Sequence, residues 1–209
     1  MHQTRAKVTK KMPIPRKGTK YVARSLIDLE NSVPVVVAVR DMLKFARTVK
    51  EVREMIKNKQ LKINGKEVKD YRDSIRLFNL FEADKSYLLT LTPTGKFSLE
   101  ETKSKERPCK VINKKVLKGR KVQLNLHDGS NILVPEKEKI NTQDTVYLDL
   151  EGKLKKHLSF EKGKECLVIA GKFLGQTGKV ESIENSKAKI RLKEKELETT
   201  LKKKGVIVL

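Results

Sequence analysis

Three glycines inside a β-strand pattern, between Cys166 and Val180, constrain the fold of this chain more than any other feature. A short apolar run leads into Gly171, and Gly175 and Gly178 follow at spacings of four and three residues before the apolar pattern resumes. Glycine at such positions serves backbone that takes a positive φ or that comes close to another surface. The pattern therefore predicts tight β structure with fixed turns in the last third of the chain.

Polar side chains stand between these glycines. Lys172 and Lys179 place positive charge, and Gln176 a neutral amide, beside backbone amides that no large side chain covers. Such a loop suits the phosphate backbone of a nucleic acid, because phosphate oxygens accept hydrogen bonds from amides and are attracted by lysine. The pattern resembles the KOW motif, which occurs in small barrel domains of ribosomal proteins and transcription elongation factors. We expect Lys172 and Lys179 to contact RNA.

The net charge of +22 indicates the class of partner. Residues 1–34, 35–95, 96–158 and 159–209 each carry a net charge of +5 or +6, so the excess is spread along the chain. Self-repulsion of this kind opposes compaction, and a polyanion that touches every segment explains it. A basic tail on a neutral enzyme would instead concentrate the charge at one end. A merely well-solvated surface is the plain alternative.

Composition favours small cores. Hydrophobic residues make up 37% of the 209 residues, and aromatic residues only 5%. Two or three small cores are therefore expected rather than one large core. No apolar run approaches the roughly 20 residues that span a bilayer, and no apolar stretch follows the basic N-terminus as in a signal peptide.

The two cysteines, Cys109 and Cys166, each open an apolar strand-like run. They form no CxxC pair, so we interpret them as buried structural thiols in a reducing cytosol. The histidines His2, His127 and His157 are not grouped with them, which argues against a zinc site. We expect neither a metal nor a cofactor.

Residues 1–24 contain eight lysines and arginines and no acidic residue. Pro13, Pro15 and Gly18 interrupt any regular element, and the segment has too little apolar area to fold alone. We predict an arm that becomes ordered on RNA, with a disordered solubilising tail as the alternative. The expected RNA-binding residues of the arm are Arg5, Lys7, Lys10, Lys11, Arg16, Lys17, Lys20, Tyr21 and Arg24.

Residues 35–47 follow Pro34, which fits the start of a helix. Their apolar residues recur at helical spacing, and Arg40, Lys44 and Arg47 fall on another face. The valines at the start could equally form a strand, although the later periodicity favours a helix. The expected apolar face consists of Val36, Val39, Met42, Leu43 and Ala46.

A capping box predicts the start of a second helix. Thr48 and Glu51 have the spacing at which each side chain can bond the other's backbone amide. The helix is expected to run to about Asn58, with Val49, Val52, Met55 and Ile56 facing inward. A basic stripe of Lys50, Arg53 and Lys57 follows on the other side. One stripe usually marks only a solvated face, but two stripes on consecutive short helices can line one positively charged surface.

Turn signals predict hairpins in the rest of the chain. Asn64-Gly65 suits the two positive-φ positions of a type I′ turn, and Asp128-Gly129 marks a later hairpin. Short strands follow one another at even spacing from residue 109 onward, which is typical of a small barrel or sandwich. The expected strands are 86–91, 109–117, 121–126, 131–134, 145–150, 153–158, 165–170, 178–183, 187–192 and 205–209.

The order of these parts resembles one family, the S4e family of small-subunit ribosomal proteins of archaea and eukaryotes. The resemblance covers nearly the whole chain, and it depends on several short motifs taken together rather than on any single one. The matching segments are Ser32–Val35, Arg40–Ala46, Lys50–Val52, Ile63–Lys66, His127–Gly129 and Gly171–Val180.

This resemblance implies an α+β, mostly β protein. It implies a basic N-terminal arm (1–34), an S4-type RNA-binding domain with a helix pair and a hairpin (35–95), a central small β domain (96–158) and an SH3-like KOW barrel (159–209). It further implies that Arg40, Lys44, Arg47, Lys50, Arg53 and Lys57 face RNA.

The implied function is structural. Members of the family build and stabilise the small ribosomal subunit by binding ribosomal RNA, without catalysis. The implied partners are small-subunit ribosomal RNA and neighbouring ribosomal proteins, with no membrane and no small-molecule substrate. The implied location is the ribosome in the cytoplasm.

Two other classes of function are alternatives. An RNA-modifying enzyme would need a catalytic domain, and residues 96–209 show no nucleotide-binding motif and no Cys–His pairing. His127 and Asp128 are adjacent, but at a hairpin tip they are better explained by turn chemistry. A free translation or transcription factor with a KOW domain is the second alternative. It predicts an exposed apolar patch and one nearly neutral domain.

Overall fold

Antiparallel β-strands of two to eleven residues form most of the regular secondary structure. The computed structural model describes residues 2–119, 121–184, 186–193 and 197–209. The chain divides into two units: the first runs to Thr92 and includes Lys96–Lys105, and the second consists of Pro93–Gly95 and Glu106–Leu209. Within the described ranges, no helix is long and apolar enough to cross a membrane.

The first unit combines three small antiparallel sheets with a 3-10 turn (Arg5–Lys7) and two longer helical segments. The strands are β1 (His2–Thr4), β2 (Tyr21–Ala23), β3 (Ser32–Pro34), β4 (Lys62–Ile63), β5 (Lys66–Glu67), β6 (Ser74–Arg76), β7 (Leu80–Glu82), β8 (Ser86–Leu91) and β9 (Phe97–Glu101). One sheet pairs β1 with β2, a second pairs β3 with β6, and the third has the strand order β5-β4-β7-β8-β9.

The first helix is shorter than the periodicity predicts. An α-helical turn, α1 (Val35–Val37), passes into a π-helical turn over Ala38–Met42, and the Leu43 amide donates to the Ala38 carbonyl at 2.9 Å. Lys44 then takes a φ of 60°, which ends the helix. Residues 35–39 are fully buried, so this segment lies in the core on all sides rather than on an amphipathic face. The prediction of a helix to residue 47 was therefore wrong.

The second helix, α2 (Val49–Lys57), begins at the predicted capping box. The Thr48 hydroxyl accepts from the Glu51 amide at 3.3 Å, as expected. The Glu51 carboxylate accepts from the Thr48 hydroxyl and from the Arg47 amide, each at 2.8 Å. These hydrogen bonds lower the pKa of Glu51, and the bond from the Arg47 amide has the largest effect. Only Val52 of the expected apolar face is fully buried.

The N-terminal segment is folded rather than free. His2–Thr4 pairs with Tyr21–Ala23 as a two-stranded ribbon, and the Phe97 amide donates to the Lys11 carbonyl at 2.8 Å. Met12 and Val22 are buried, with 4% and 7% of their surface exposed. The sequence suggests disorder because the arm has too little apolar area to fold alone, but here those two side chains are covered by the folded unit.

The hairpin at Asn64-Gly65 confirms the predicted turn, because the two residues have φ values of 51° and 76°. Strand β9 pairs with β8 over five residues, so residues 97–101 complete the sheet of the first unit. Residues 106–209 belong to the second unit, which has two hydrophobic cores.

The second unit consists of two five-stranded antiparallel sheets. The strands are β10 (Arg107–Leu117), β11 (Lys121–Leu126), β12 (Asn131–Pro135), β13 (Thr145–Leu148), β14 (Leu154–Leu158), β15 (Glu165–Val168), β16 (Thr177–Glu184), β17 (Lys187–Leu192), β18 (Glu198–Lys202) and β19 (Val206–Val208). The strand orders are β12-β11-β10-β13-β14 and β18-β17-β16-β15-β19. Most predicted strands are present, while β18 was missed.

One cysteine lies in each core of this unit. Cys109 packs with Val111 and Leu124, and Cys166 packs with Val168 and Ile190. Burial raises the pKa of Cys109 to about 12 and that of Cys166 to about 11. Both thiols are free and buried, which confirms the interpretation as structural residues.

Two cationic side chains are also buried in the second unit. Arg107 forms an ion pair with Asp128, whose carboxylate also accepts from the Ser130 amide at 2.9 Å. Burial alone would raise the pKa of Asp128, but the charge of Arg107 and the hydrogen bonds from Ser130 and Arg107 lower it overall. The adjacent His127 accepts from the Lys110 amide at 3.1 Å. The Ser130 bond agrees with the interpretation of Asp128 as a turn residue, and the bonds from Arg107 and Lys110 attach the hairpin to β10.

The second buried cation, Lys110, joins the two sheets of this unit. Its ammonium group donates to the carbonyls of Lys203 and Val206, which precede and begin β19, and only 2% of the residue is exposed. Burial lowers the pKa of Lys110 to about 7.

Gly178 lies where β16 pairs with β17. A Cβ atom at this position would lie 2.5 Å from the Arg191 carbonyl oxygen and 2.7 Å from Cγ2 of Ile190. The neighbouring strand backbone therefore leaves no room for a side chain.

We predict that Gly178→Ala destabilises the protein by about 1–3 kcal/mol, because the strand must shift to admit the methyl group. Thermal unfolding followed by circular dichroism measures this loss. Gly205→Ala is the control, since its Cβ atom would have an ordinary contact 3.4 Å from Cβ of Ala170. Equal effects of the two substitutions would contradict the close packing at Gly178.

We also predict that Lys110 makes stability rise with pH between about pH 7 and pH 10. The unfolded chain keeps the lysine proton up to its ordinary pKa of 10.5, whereas the folded protein releases it near pH 7. The unfolded state thus binds more protons in this window, and stability increases as pH rises. Lys110→Met should flatten the rise in denaturant midpoint, and Lys115→Met, an exposed residue of the same strand, should not. An unchanged slope in Lys110→Met would contradict this assignment.

Candidate nucleic-acid interface

The N-terminal ribbon, the first helical segment and α2 surround a cleft of about 460 Å³ in the first unit. Predicted RNA-binding residues from all three parts line it. The residues that give the cleft its chemistry are Arg5, Tyr21, Arg40, Asp41, Arg53 and Tyr71.

Arg5 fixes the shape of the ribbon. Its guanidinium donates to the Thr19 carbonyl at 2.7 Å, to the Thr19 hydroxyl at 3.0 Å and to the Pro15 carbonyl at 2.5 Å. These bonds close the loop between β1 and β2, so that much of the donor capacity of Arg5 serves the arm itself. Arg5 therefore has a structural role beside any contact with RNA.

Tyr71 and Arg53 form a cation–π pair in the cleft. The Arg53 guanidinium carbon lies 4.8 Å from the centre of the Tyr71 ring. Arg53 is in the middle of α2 and exposed, while Tyr71 is half-buried in the turn that leads to β6. The pair places a flat, positively charged surface at the cleft.

The turn that carries Tyr71 is held by two carboxylates. Asp73 accepts from the amides of Lys69 and Asp70 at 2.9 and 3.1 Å. Asp70 forms an ion pair with Arg72 at 2.7 Å, and the hydrogen bond from Arg72 is the largest cause of its lowered pKa. The Tyr71 carbonyl accepts from the Val36 amide at 2.9 Å. The tyrosine is thereby fixed to the core helix.

Tyr21 begins β2 and is 49% exposed. Its ring meets His2 edge-on at a centroid distance of 4.4 Å, and the Lys20 ammonium lies 5.4 Å from the ring centre. An exposed aromatic ring with a cation beside it is suited to stacking on a nucleobase.

Arg40 is partly neutralised. It forms a two-point ion pair with Asp41, at 2.8 and 3.0 Å, and this hydrogen bonding raises the pKa of Arg40. Lys44 and Arg47 were expected on the same helical face as Arg40. Because the helix ends before Lys44, both lie in the exposed loop that leads to α2, and neither lines the cleft.

The basic stripe of α2 is exposed as the sequence predicts. Lys50, Arg53 and Lys57 are all accessible to solvent. No ion pair within 4 Å is described for them in the part of the chain that the structure covers. Their charges are therefore available to a polyanion, with Arg53 linking the stripe to the cleft.

Most of the other arm residues lie around two further clefts of the first unit. Lys7, Lys11 and Arg24 line one cleft together with Tyr21, and Lys10 and Arg16 line another together with Arg5. The Lys11 ammonium donates to Asn31 at 2.6 Å, and burial lowers its pKa. Two predicted lysines of the arm lie outside these three clefts and are exposed, namely Lys17 and Lys20.

The glycine loop of the second unit presents its two lysines to solvent. Gly171 and Gly175 have φ values of 95° and 85°, and the Lys172 ammonium lies 5.9 Å from the centre of the Phe173 ring. Gly129, at the earlier hairpin, has a φ of 77°. Lys179 is exposed on β16, next to Gly178.

Sequence reasoning left two cleft residues out of the predicted interface. Tyr71 is not among the residues predicted to bind RNA, although its position between Asp70 and Arg72 in a charged turn is a signal for exposure. Lys96 was also not predicted to bind RNA. It lines the same cleft as Lys10 and Arg16, because the pairing of β9 with β8 brings it there. Among the described residues, no group of three or more His, Cys, Asp or Glu side chains could hold a metal ion.

Three family models match consecutive parts of the chain. The model described as "S4 domain" matches residues 35–77, "Ribosomal family S4e" matches residues 83–154, and "KOW motif" matches residues 162–193. Together they follow the order of parts expected from the sequence.

Curated relatives and a solved structure agree with these matches. The small ribosomal subunit protein eS4 of Methanocella arvoryzae is 33% identical over 190 residues, covering 87% of this chain and 80% of the relative. That of Archaeoglobus fulgidus is 33% identical over 189 residues, with the same coverage.

The crystal structure of the 30S ribosomal protein S4e from Thermoplasma acidophilum superimposes with a TM-score of 0.72 at 21% identity. It covers 86% of this chain and 95% of the other, and shows that the fold is shared. The level of identity to the curated relatives and the length of the matches show that this chain belongs to the S4e family of ribosomal proteins.

Proposed function

We propose that this protein is a structural constituent of the small ribosomal subunit that binds ribosomal RNA and supports subunit assembly and translation. Its relatives carry the name of a small-subunit ribosomal protein, and the family is one of structural proteins rather than enzymes. The single observation that carries the RNA-binding part is the exposed basic stripe of α2 beside a cleft lined by arginine and tyrosine.

The binding mechanism is electrostatic. A lysine or arginine that pairs with a phosphate releases condensed counterions, so affinity falls as the salt concentration rises. Lysines such as Lys50 and Lys57 act as point charges, whereas the planar guanidinium of Arg53 also orients its partner. Because every quarter of the chain is basic, both units contribute contacts. Lys172 and Lys179 provide such contacts in the second unit.

The partners follow from this role. They are the ribosomal RNA of the small subunit and the ribosomal proteins that neighbour it, and the site of action is the ribosome in the cytoplasm. A free translation or transcription factor would be expected to have a nearly neutral domain for a protein partner, and the even charge distribution does not favour it.

Sedimentation of the tagged protein through sucrose gradients tests the role in the subunit. We expect it to migrate with the small subunit and to stay there at moderate salt. A protein that remains at the top of the gradient at low salt would contradict the proposal and favour a free factor.

A paired-charge experiment tests the α2 surface. Lys50→Ala combined with Lys57→Ala should weaken binding to a small-subunit ribosomal RNA transcript and lower the salt slope by roughly 0.7 to 0.9 for each phosphate that no longer pairs with a lysine. Filter binding at several salt concentrations measures both quantities. Lys137→Ala combined with Lys139→Ala removes the same charge from an exposed loop and should have a smaller effect. Equal losses of affinity in the two variants would mean that α2 is not a specific contact surface.

A further inference from the structure

We propose that the cleft between the N-terminal ribbon and α2 binds a single unstacked RNA base, with Tyr71 and Arg53 as its stacking platform. This inference rests on the proposed RNA-binding function and names the element of RNA that the site takes. It adds Tyr71, which is not among the residues predicted to bind RNA, to the residues that contact RNA.

The size of the cleft suits a nucleotide. Its volume of about 460 Å³ falls in the range of small-ligand sites. An RNA duplex cannot present a base to such a site, because its bases are stacked and paired inside the helix. A bulged or loop nucleotide can, since its base is already free of a partner.

The lining divides into parts that suit a base. Tyr21 offers an exposed aromatic ring, and Tyr71 supports the Arg53 guanidinium that lies over its ring. Val49 adds half-buried apolar surface. Every nucleobase has a π-face, so aromatic and guanidinium planes bind unstacked bases without requiring one sequence. The cleft is therefore a stacking site rather than a site for a particular hydrogen-bonding edge.

The charges in the cleft favour entry of the base and keep the phosphate outside. Arg40 is paired with Asp41, and the guanidinium of Arg5 is bonded to the arm's own residues. The Asp41 carboxylate also repels a phosphate at close range. Lys50 and Lys57 lie on the exposed stripe of α2, three residues before and four residues after Arg53. Phosphates of the flanking nucleotides are attracted there while the base stacks at Arg53.

The platform is already ordered, which reduces the cost of binding. Arg53 lies over Tyr71 at 4.8 Å, and the turn around Tyr71 is fixed by Asp70, Asp73 and the Val36 amide. A rigid aromatic surface loses little conformational entropy when a base stacks on it. Such order also makes the site selective for RNA that has an unpaired nucleotide at the right place.

The test compares two RNA hairpins of equal length. One contains a single bulged 2-aminopurine, and the other is fully paired with 2-aminopurine inside the stem. The full-length protein is titrated into each, and both fluorescence anisotropy and 2-aminopurine emission are recorded. We expect about tenfold tighter binding of the bulged hairpin, as one base–aromatic stack provides, with a change in emission that the paired hairpin does not show.

Variants separate the cleft from general RNA binding. Tyr71→Leu keeps apolar bulk but removes the ring, and it should abolish most of the preference for the bulged hairpin while leaving affinity for the paired hairpin unchanged. Tyr71→Phe keeps the ring and should restore the preference. Tyr147→Leu is the matched control, because this half-buried tyrosine of the second unit also has a lysine ammonium, that of Lys156, 5.6 Å from its ring. Unfolding curves verify that each variant is folded.

The outcomes distinguish the two proposals. Equal affinity of the wild-type protein for both hairpins, or a preference that persists in Tyr71→Leu, would overturn the base-binding cleft and leave the RNA-binding function in place. Failure to bind either hairpin at low salt would instead contradict the proposed function itself, and the inference with it.

Discussion

The solvation of positive charge is the constraint on which this structure depends. A chain with 48 lysines and arginines among 209 residues must keep nearly all of them in water, because an unpaired buried cation is costly. Small antiparallel sheets satisfy this requirement, since one face packs inward while alternate side chains stay exposed; β17 shows the pattern in strict alternation. Arg107 and Lys110 of the second unit are buried, and each has polar partners that compensate for the loss of water. Arg107 pairs with a carboxylate, and Lys110 donates to two carbonyl oxygens.

The same constraint accounts for the form of the candidate interface. Residues 35–39 of the first helical segment are buried on all sides and supply support, while Arg40 and Asp41 at its end line the cleft. The surface comes from α2, whose basic stripe is exposed, and from an arm whose Met12 and Val22 are buried while its Tyr21 is exposed. Arginine has two roles here. Arg5 and Arg40 are occupied within the protein, whereas Arg53 presents its plane to the cleft.

Local signals in the sequence were sufficient for the parts that local chemistry controls. The capping box at Thr48, the turn at Asn64-Gly65 and the strands of the second unit depend on residues close together in the chain, and the structure has them. The end of the first helix depends on the burial of its valines and on the left-handed backbone of Lys44. The spacing of apolar residues along the chain predicts neither of these. The fold of the arm and the place of β9 depend on partners that are distant in the chain.

By itself the sequence determined the class of partner, the mostly β architecture and the order of the parts, because charge, glycine spacing and alternation act residue by residue. Only the tertiary structure decided which cations are available and which are already used, as for Arg53 against Arg5. It also decided that Tyr21 and Tyr71, fifty residues apart, line one cleft. Such a site exists only where packing brings distant segments together, and no local pattern in the sequence encodes which distant residues become neighbours.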